Sequence, residues 1–254
     1  MKFSRLLYIT LLFLLPLLTF GDDGQNALVE KGNALYNKAK YAEALKAYQQ
    51  VADAGYQSAA LYFNMGNASY KNGDIPSALL YYQKAQKLSP GDEDINFNIR
   101  FVNQHTTDKI DEASEFFLTR WWHAFILGFS VNALTVISIL GFFFGSALLI
   151  VYFFANAVSI KKASFFASII LFFVGIVTMF IAARQTAYFD GHKQAIVFSS
   201  SVTAKSSPSA QANTAFVLHE GTLVNVLSTN SDWIKISLVN GNEGWIKLSD
   251  VKEI

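Results

Sequence analysis

Residues 66–90 read GNASYKNGDIPSALLYYQKAQKLSP, and the spacing of small, aromatic and turn residues in this stretch decides the architecture. Gly73 and Asp74 punctuate two helix-forming runs. Asp74 is suited to cap the second helix, Pro76 is tolerated in its first turn, and Pro90 bars any continuation. Gly66 and Ala78 let two antiparallel helices approach closely, and Tyr82 fills the space between them. The pattern also occurs one copy earlier. Gly32 and Gly66, Asn33 and Asn67, Tyr36 and Tyr70, Ala44 and Ala78, and Tyr48 and Tyr82 each stand 34 residues apart.

A 34-residue period with small residues at helix crossings marks tetratricopeptide repeats. The second copy resembles that family at Tyr62, Met65, Gly66, Gly73, Asp74, Ala78, Tyr82, Ala85 and Pro90, and departs from it at Ser69. The first copy is looser, matching at Leu28, Gly32, Leu35, Tyr41, Ala44 and Tyr48 without a closing proline. Two repeats are therefore expected over residues 25–90. The next stretch, GDEDINFNIRFVN, sets Ile95, Ile99 and Val102 at helical spacing behind an acidic start. It predicts a third helix that caps the stack, followed by a linker to residue 118. The first helix of each repeat would line a short groove with Val29, Asn33, Tyr36 and Asn37, then Phe63, Asn67, Tyr70 and Lys71. Asn33 and Asn64 resemble the asparagines with which some family members clamp a peptide C-terminus, but Val29 stands where those clamps place a lysine. Three readings stay open: a general peptide or protein groove, a carboxylate clamp, or a structural stack with ordinary surface asparagines.

Why such a scaffold sits between two apolar blocks is answered by the flanks. The chain begins MKFSRLLYITLLFLLPLLTFGDDG, a basic start (Lys2, Arg5) followed by an apolar run over residues 6–18. This reads as a signal peptide over residues 1–21, with Thr19 and Gly21 as a tolerable cleavage site. An uncleaved anchor is the alternative, and in both cases the chain beyond residue 22 is exported. From Trp121 to Ile160 there is no Asp, Glu, Lys or Arg, and a second uncharged run covers residues 163–183. Since a span needs about 20 residues, a membrane region over residues 119–184 is expected, with helices near 131–155 and 163–183. Trp121 and Trp122 would anchor it at the interface. Lys161 and Lys162 would lie in a short cytoplasmic loop, leaving both soluble parts outside; a buried soluble hairpin is the alternative.

Beyond Arg184 the pattern changes to period two. VLHEGTLVNVL (217–227), DWIKISLVNGNEGWIKLSDV (232–251) and the SSPS run at Ser206–Ser209 are read as short strands, with Asn240-Gly241 turning a hairpin. Residues 195–254 resemble the bacterial SH3-like domain at Lys205, Ser206, Pro208 and Ser209. The match continues at Gly221, Thr222, Val224, Val226, Leu227, Trp233, Lys235, Ile236, Gly241, Gly244, Trp245 and Ile246. Ser207 replaces the usual glycine of the first loop. The resemblance implies binding of cell-wall peptide or a role as protein adaptor. Trp233 and Trp245 are either barrel core, where loss of one would be strongly destabilising in so small a domain, or an aromatic ligand surface.

Composition narrows the function classes. A net charge of +1 gives no electrostatic case for nucleic acid. The absence of cysteine excludes disulfides, thiolate metal ligands and a thiol nucleophile. His105, His123, His192 and His219 fall in four different segments, and neither a phosphate-binding glycine loop nor a nucleophile elbow is present. No catalytic residue, metal or cofactor is expected. The expected fold class is multidomain: an all-α tetratricopeptide repeat solenoid, a two-helix transmembrane hairpin and a small all-β SH3-like barrel.

That order of modules, with the DKIDEASEFFLTRWW approach to the membrane, resembles the BatE family encoded in the aerotolerance operon of Bacteroidetes. The resemblance implies a membrane-bound scaffold working beside von Willebrand A-type membrane proteins and a MoxR-type ATPase. The rival is a cell-wall receptor in which the barrel binds peptidoglycan.

Overall fold

Repeated helix pairs, an apolar helical hairpin and an antiparallel sheet follow one another along the chain, in a computed structural model that describes residues 23–110 and 116–254. The segment read as a signal peptide, residues 1–21, lies outside the described residues, as do residues 111–115 of the linker. Two compact units divide the chain after Tyr56.

The first unit contains the helix pair α1 (Asp23–Asn37) and α2 (Tyr41–Asp53). Ala44, Ala47, Tyr48 and Val51 form the buried face of α2. Gly32 makes room for a ring rather than for a helix backbone: a Cβ there would run into the Tyr48 side chain.

The second unit opens with the equivalent pair, α3 (Ala59–Lys71) and α4 (Ile75–Leu88). Ser58 caps α3 by accepting from the Leu61 amide at 3.1 Å, and Asp74 caps α4 by accepting from Ser77 at 3.0 Å. A Cβ on Gly66 would lie 2.6 Å from the Tyr82 ring, so this glycine too accommodates a tyrosine. Helix α5 (Glu93–Asn103) starts at its cap Asp92 and buries Ile95, Ile99 and Val102.

After α6 (Phe117–Ile126), two long helices follow: α7 (Val131–Phe154) and α8 (Val158–Gly191). Both are long and apolar enough to cross a membrane, with mean hydropathies of 2.5 and 2.7. Small residues face the crossing. A Cβ on Gly141 would sit 2.9 Å from the Leu171 carbonyl oxygen, and the Ser138 hydroxyl donates to the Gly175 carbonyl at 3.0 Å. Large apolar side chains such as Phe144, Phe166, Phe173 and Met179 point outward, opposite to the packing of a soluble core. Lys161 and Lys162 are not in a loop. They belong to the first turns of α8, and only residues 155–157 separate the helices. A charge pair does not break a helix of good formers, and neither Gly nor Pro interrupts residues 155–163.

The C-terminal sheet has seven strands: β1 (Gln194–Val197), β2 (Ser201–Lys205), β3 (Thr214–His219), β4 (Leu223–Asn230), β5 (Trp233–Ser237), β6 (Glu243–Lys247) and β7 (Val251–Glu253). Their order is β3-β2-β6-β5-β4-β1-β7, with every pair antiparallel. Ile234, Ile236, Ile246, Ala204, Val224 and Leu218 meet in the core. Two expectations are corrected. Ser206–Ser209 lies in the turn joining β2 to β3, because Pro208 and four consecutive small polar or cyclic residues favour a turn over a ladder. The run 217–227 is split at Glu220-Gly221, and β3 and β4 then pair with different strands rather than with each other.

Within the second unit, the linker after α5 reaches the sheet. The Asp108 carboxylate accepts from the His219 amide (2.8 Å), the Thr222 hydroxyl (2.6 Å) and His219 Nδ1 (2.8 Å). Gly221, at φ +84°, fits against Thr106 and Leu79, where a Cβ would lie 2.9 Å from the Thr106 methyl.

Candidate interaction site

Asparagine and tyrosine recur together in the two repeats because they are bonded. Tyr48 donates to Asn33 Oδ1 at 2.7 Å, and Tyr82 donates to Asn67 Oδ1 at 2.6 Å. Burial, and then the neighbouring Tyr36 phenol, push the Tyr48 hydroxyl above its ordinary range, which keeps it a donor. Each asparagine therefore ties the first helix of its repeat to the second, a role independent of any ligand. In the first unit, Asn33 and Asn37 are exposed, and Tyr36 lies edge-on to Tyr41 at 5.3 Å.

In the second unit the candidate residues meet a neighbour that the repeat motif did not include. Phe63 packs at 5.8 Å from the Tyr82 ring, Asn64 is half-buried, and Lys71 is exposed at the end of α3. Asn67 also accepts from the Asn98 amide of α5 at 3.3 Å. Tyr70 stands edge-to-face with Phe101 (5.6 Å) and faces His105 at 6.0 Å, both carried by α5 or its end. Phe97 stacks on Phe101 at 6.2 Å, and the two are 58% and 38% exposed. The result is one continuous aromatic strip over α3 and α5: Tyr70, Phe101, Phe97 and His105.

Sequence reading treated α5 as a cap and so missed Phe97, Asn98 and Phe101. The signal was present one period further on. Phe97 and Asn98 stand 34 residues after Phe63 and Asn64, so α5 continues the register of a first repeat helix. Arg100 occupies the place of Gly66, which is where the motif match stops.

The barrel offers a second surface. Trp233 and Trp245 are half-buried and absent from the core, which is filled by the alternate residues Ile234, Ile236 and Ile246. Both tryptophans project from the opposite face, because successive strand residues alternate sides. Trp233 pairs across the strands with Lys247, whose Nζ lies 4.3 Å from the indole centre. Trp245 is flanked by Lys235 on β5 and Lys205 on β2. Lys235 is held to Glu243 at 2.6 Å. The face is a short basic-aromatic strip.

Among the described residues no cluster of three His, Cys, Asp or Glu side chains could hold a metal ion. Burial alone would raise the Asp108 carboxyl, but the bonds from Thr222 and His219 outweigh it and hold the group below its ordinary range. His219 and Asp108 thus form a structural contact between linker and sheet.

Comparison with known families places a tetratricopeptide repeat at residues 29–93 and a bacterial SH3 domain at residues 200–252. No curated protein matches the chain. A solved NlpC/P60 family protein from Bacillus cereus aligns with 28% of this chain and 23% of its own, at 17% identity and a TM-score of 0.22. The present chain thus spans less than a quarter of that protein, and the likeness carries no argument. Both matched modules are of kinds that typically bind proteins rather than catalyse reactions.

Proposed function

We propose that this protein is a scaffold anchored in the bacterial inner membrane by α7 and α8, with its repeats and barrel on the periplasmic side. It holds protein partners together as an accessory of an aerotolerance-type complex, with von Willebrand A-type membrane proteins and a MoxR-type ATPase as the partner classes. The observation that carries this reading is the exposed strip of Tyr70, Phe97, Phe101 and His105 over α3 and α5. Two stacked phenylalanines held at a helix surface, with Asn67, Asn98 and Lys71 close in the sequence of the same helices, suit a partner's apolar side chains and backbone. The groove candidates of the first repeat, Asn33, Tyr36 and Asn37, belong to the other unit and are proposed as partner contacts in their own right.

The test is replacement of Phe97 and Phe101 by Ser, followed by purification from membranes with a tagged von Willebrand A-type partner. Burying each phenylalanine contributes about 1.5–3 kcal/mol, so affinity should fall by at least about a hundredfold and recovery should drop with it. Undiminished recovery would remove the repeats from partner binding. A second reading, a wall receptor, is favoured by the Trp233–Lys247 and Trp245–Lys235 face. Binding of purified peptidoglycan fragments that is lost in Trp245→Ala would support it.

A further inference from the structure

Helix α6 is ten residues long, and among the described residues one side of it is left uncovered. Phe117, Leu118, Trp121, Trp122, Phe125 and Phe129 are between 40% and 67% exposed. Spaced at one, four and five residues, they form a single ledge, with Trp121 stacked on Phe125 at 6.2 Å and Phe125 edge-on to Phe129 at 6.3 Å. The opposite side is fixed. Ile126 is buried with Leu134 of α7 and Ile181 of α8, and the His123 ring lies 4.9 Å from Tyr188. The buried Gln185 side chain donates to the carbonyls of Ile126 (3.2 Å) and Phe129 (2.9 Å), locking the turn between α6 and α7.

These contacts set the level of α6 along the hairpin. Between Lys162 and Arg184 helix α8 carries no charge, a length of about 33 Å at 1.5 Å per residue and close to the hydrocarbon thickness of a bilayer. Arg184 and Gln185 therefore mark one border of the apolar layer. The contacts of α6 with α8, from Ile181 to Tyr188, occupy a band of about 10 Å around that border. A ledge of tryptophan and phenylalanine at this level, continuous with the outward apolar face of α7, has the composition and depth of the membrane–water interface.

We infer that α6 is an interfacial membrane element whose aromatic ledge lies among the headgroups and upper acyl chains of the bilayer that α7 and α8 cross. The inference rests on that spanning reading and adds a consequence. A Cβ on Gly91 would collide with the Gly128 carbonyl, so the loop after α4 packs closely against the turn that α6 anchors. The second repeat is thereby set at the membrane surface rather than tethered loosely above it.

Depth-resolved quenching tests this on the full chain in phosphatidylcholine vesicles brominated either near the carbonyl end or near the methyl end of the acyl chains. The chain has four tryptophans, and Trp233→Phe with Trp245→Phe leaves only the α6 pair. A companion carries those two changes with Trp121→Phe, Trp122→Phe and Phe144→Trp, reporting on the middle of α7. The expected result is loss of α6 emission that is greater with shallow bromines, while Phe144→Trp is quenched more by deep ones. If the α6 pair is quenched by neither position, or more by the deep one, the inference is overturned. In that event, deep quenching of Phe144→Trp leaves the spanning reading standing, and its absence removes that reading too.

Discussion

Ala39 and Gly73 occupy equivalent turns 34 residues apart, and both have positive φ, +57° and +82°. Only the second is a glycine, so the first repeat carries a strained turn that the second does not. Ala39→Gly should raise the stability of the first helix pair by up to about 1 kcal/mol, and Gly73→Ala should lower that of the second by about 1–2 kcal/mol. Urea unfolding followed by helical circular dichroism checks both, and equal effects of the same sign would contradict the turn assignment. The recurrence of Gly, Asn and Tyr at fixed spacing was plain in the sequence, and so was the pairing of two helices. The bond between Tyr82 and Asn67 was not, because periodicity says which residues share an edge but not where a hydroxyl points. Asn67 therefore read as a groove residue, whereas its oxygen accepts from Tyr82 and ties the two helices of the repeat together. For Trp233 and Trp245 the sequence left two placements open, core or surface. Size favours the core and alternation does not say which face is inward; the isoleucines alternating with them fill the core face.

At the scale of elements, uninterrupted apolar runs made the α7–α8 hairpin legible, and their limits were less so. Lys161 and Lys162 looked like a loop because charge is easily mistaken for a helix stop. Helix α6 was hidden for the converse reason: its apolar residues merged with the following span, and the turn around Gly128 is short. The contact between linker and sheet joins residues more than 100 positions apart and left no local trace. Asp108 carries that contact through three accepted bonds, and its folded pKa is depressed below the ordinary value of 3.8. A depressed carboxyl contributes stability that is fully present above its unfolded value and is lost as pH falls through the folded one. The linker should therefore stay docked at neutral pH and loosen only as pH falls below the ordinary carboxylate range. Hydrogen exchange of the His219 amide, which donates to Asp108, reports this directly. Asp108→Asn should remove the acid step and cost about 1–3 kcal/mol at neutral pH. Unchanged protection of that amide in the variant would mean that the bond contributes nothing.

For the whole molecule, the proposed double span makes the side on which the modules lie the property to measure. Lys161 and Lys162 stand at one end of the hairpin, and Arg120 and Arg184 flank the other, so the positive-inside bias is nearly balanced. In the proposed reading the basic, apolar start of the sequence tips it: its export would place residue 23 and everything up to α7 outside, and a two-helix return would place the barrel outside as well. The linkage within the second unit requires that the segments before and after the hairpin share a side, whichever side that is. Asp108 before the hairpin and His219 after it are bonded to each other, which is possible only if the chain returns to the side it left. One crossing, or three, would part them. The absence of cysteine makes this measurable without background. Asn103→Cys and Ser228→Cys, both on exposed positions, should react with a membrane-impermeant maleimide added to spheroplasts. Ser159→Cys, at the opposite end of the hairpin beside Lys161, should react only after permeabilisation. If Ser228→Cys were protected together with Ser159→Cys while Asn103→Cys reacted, the hairpin would not be a double span. The Asp108–His219 contact would then have to be abandoned with it.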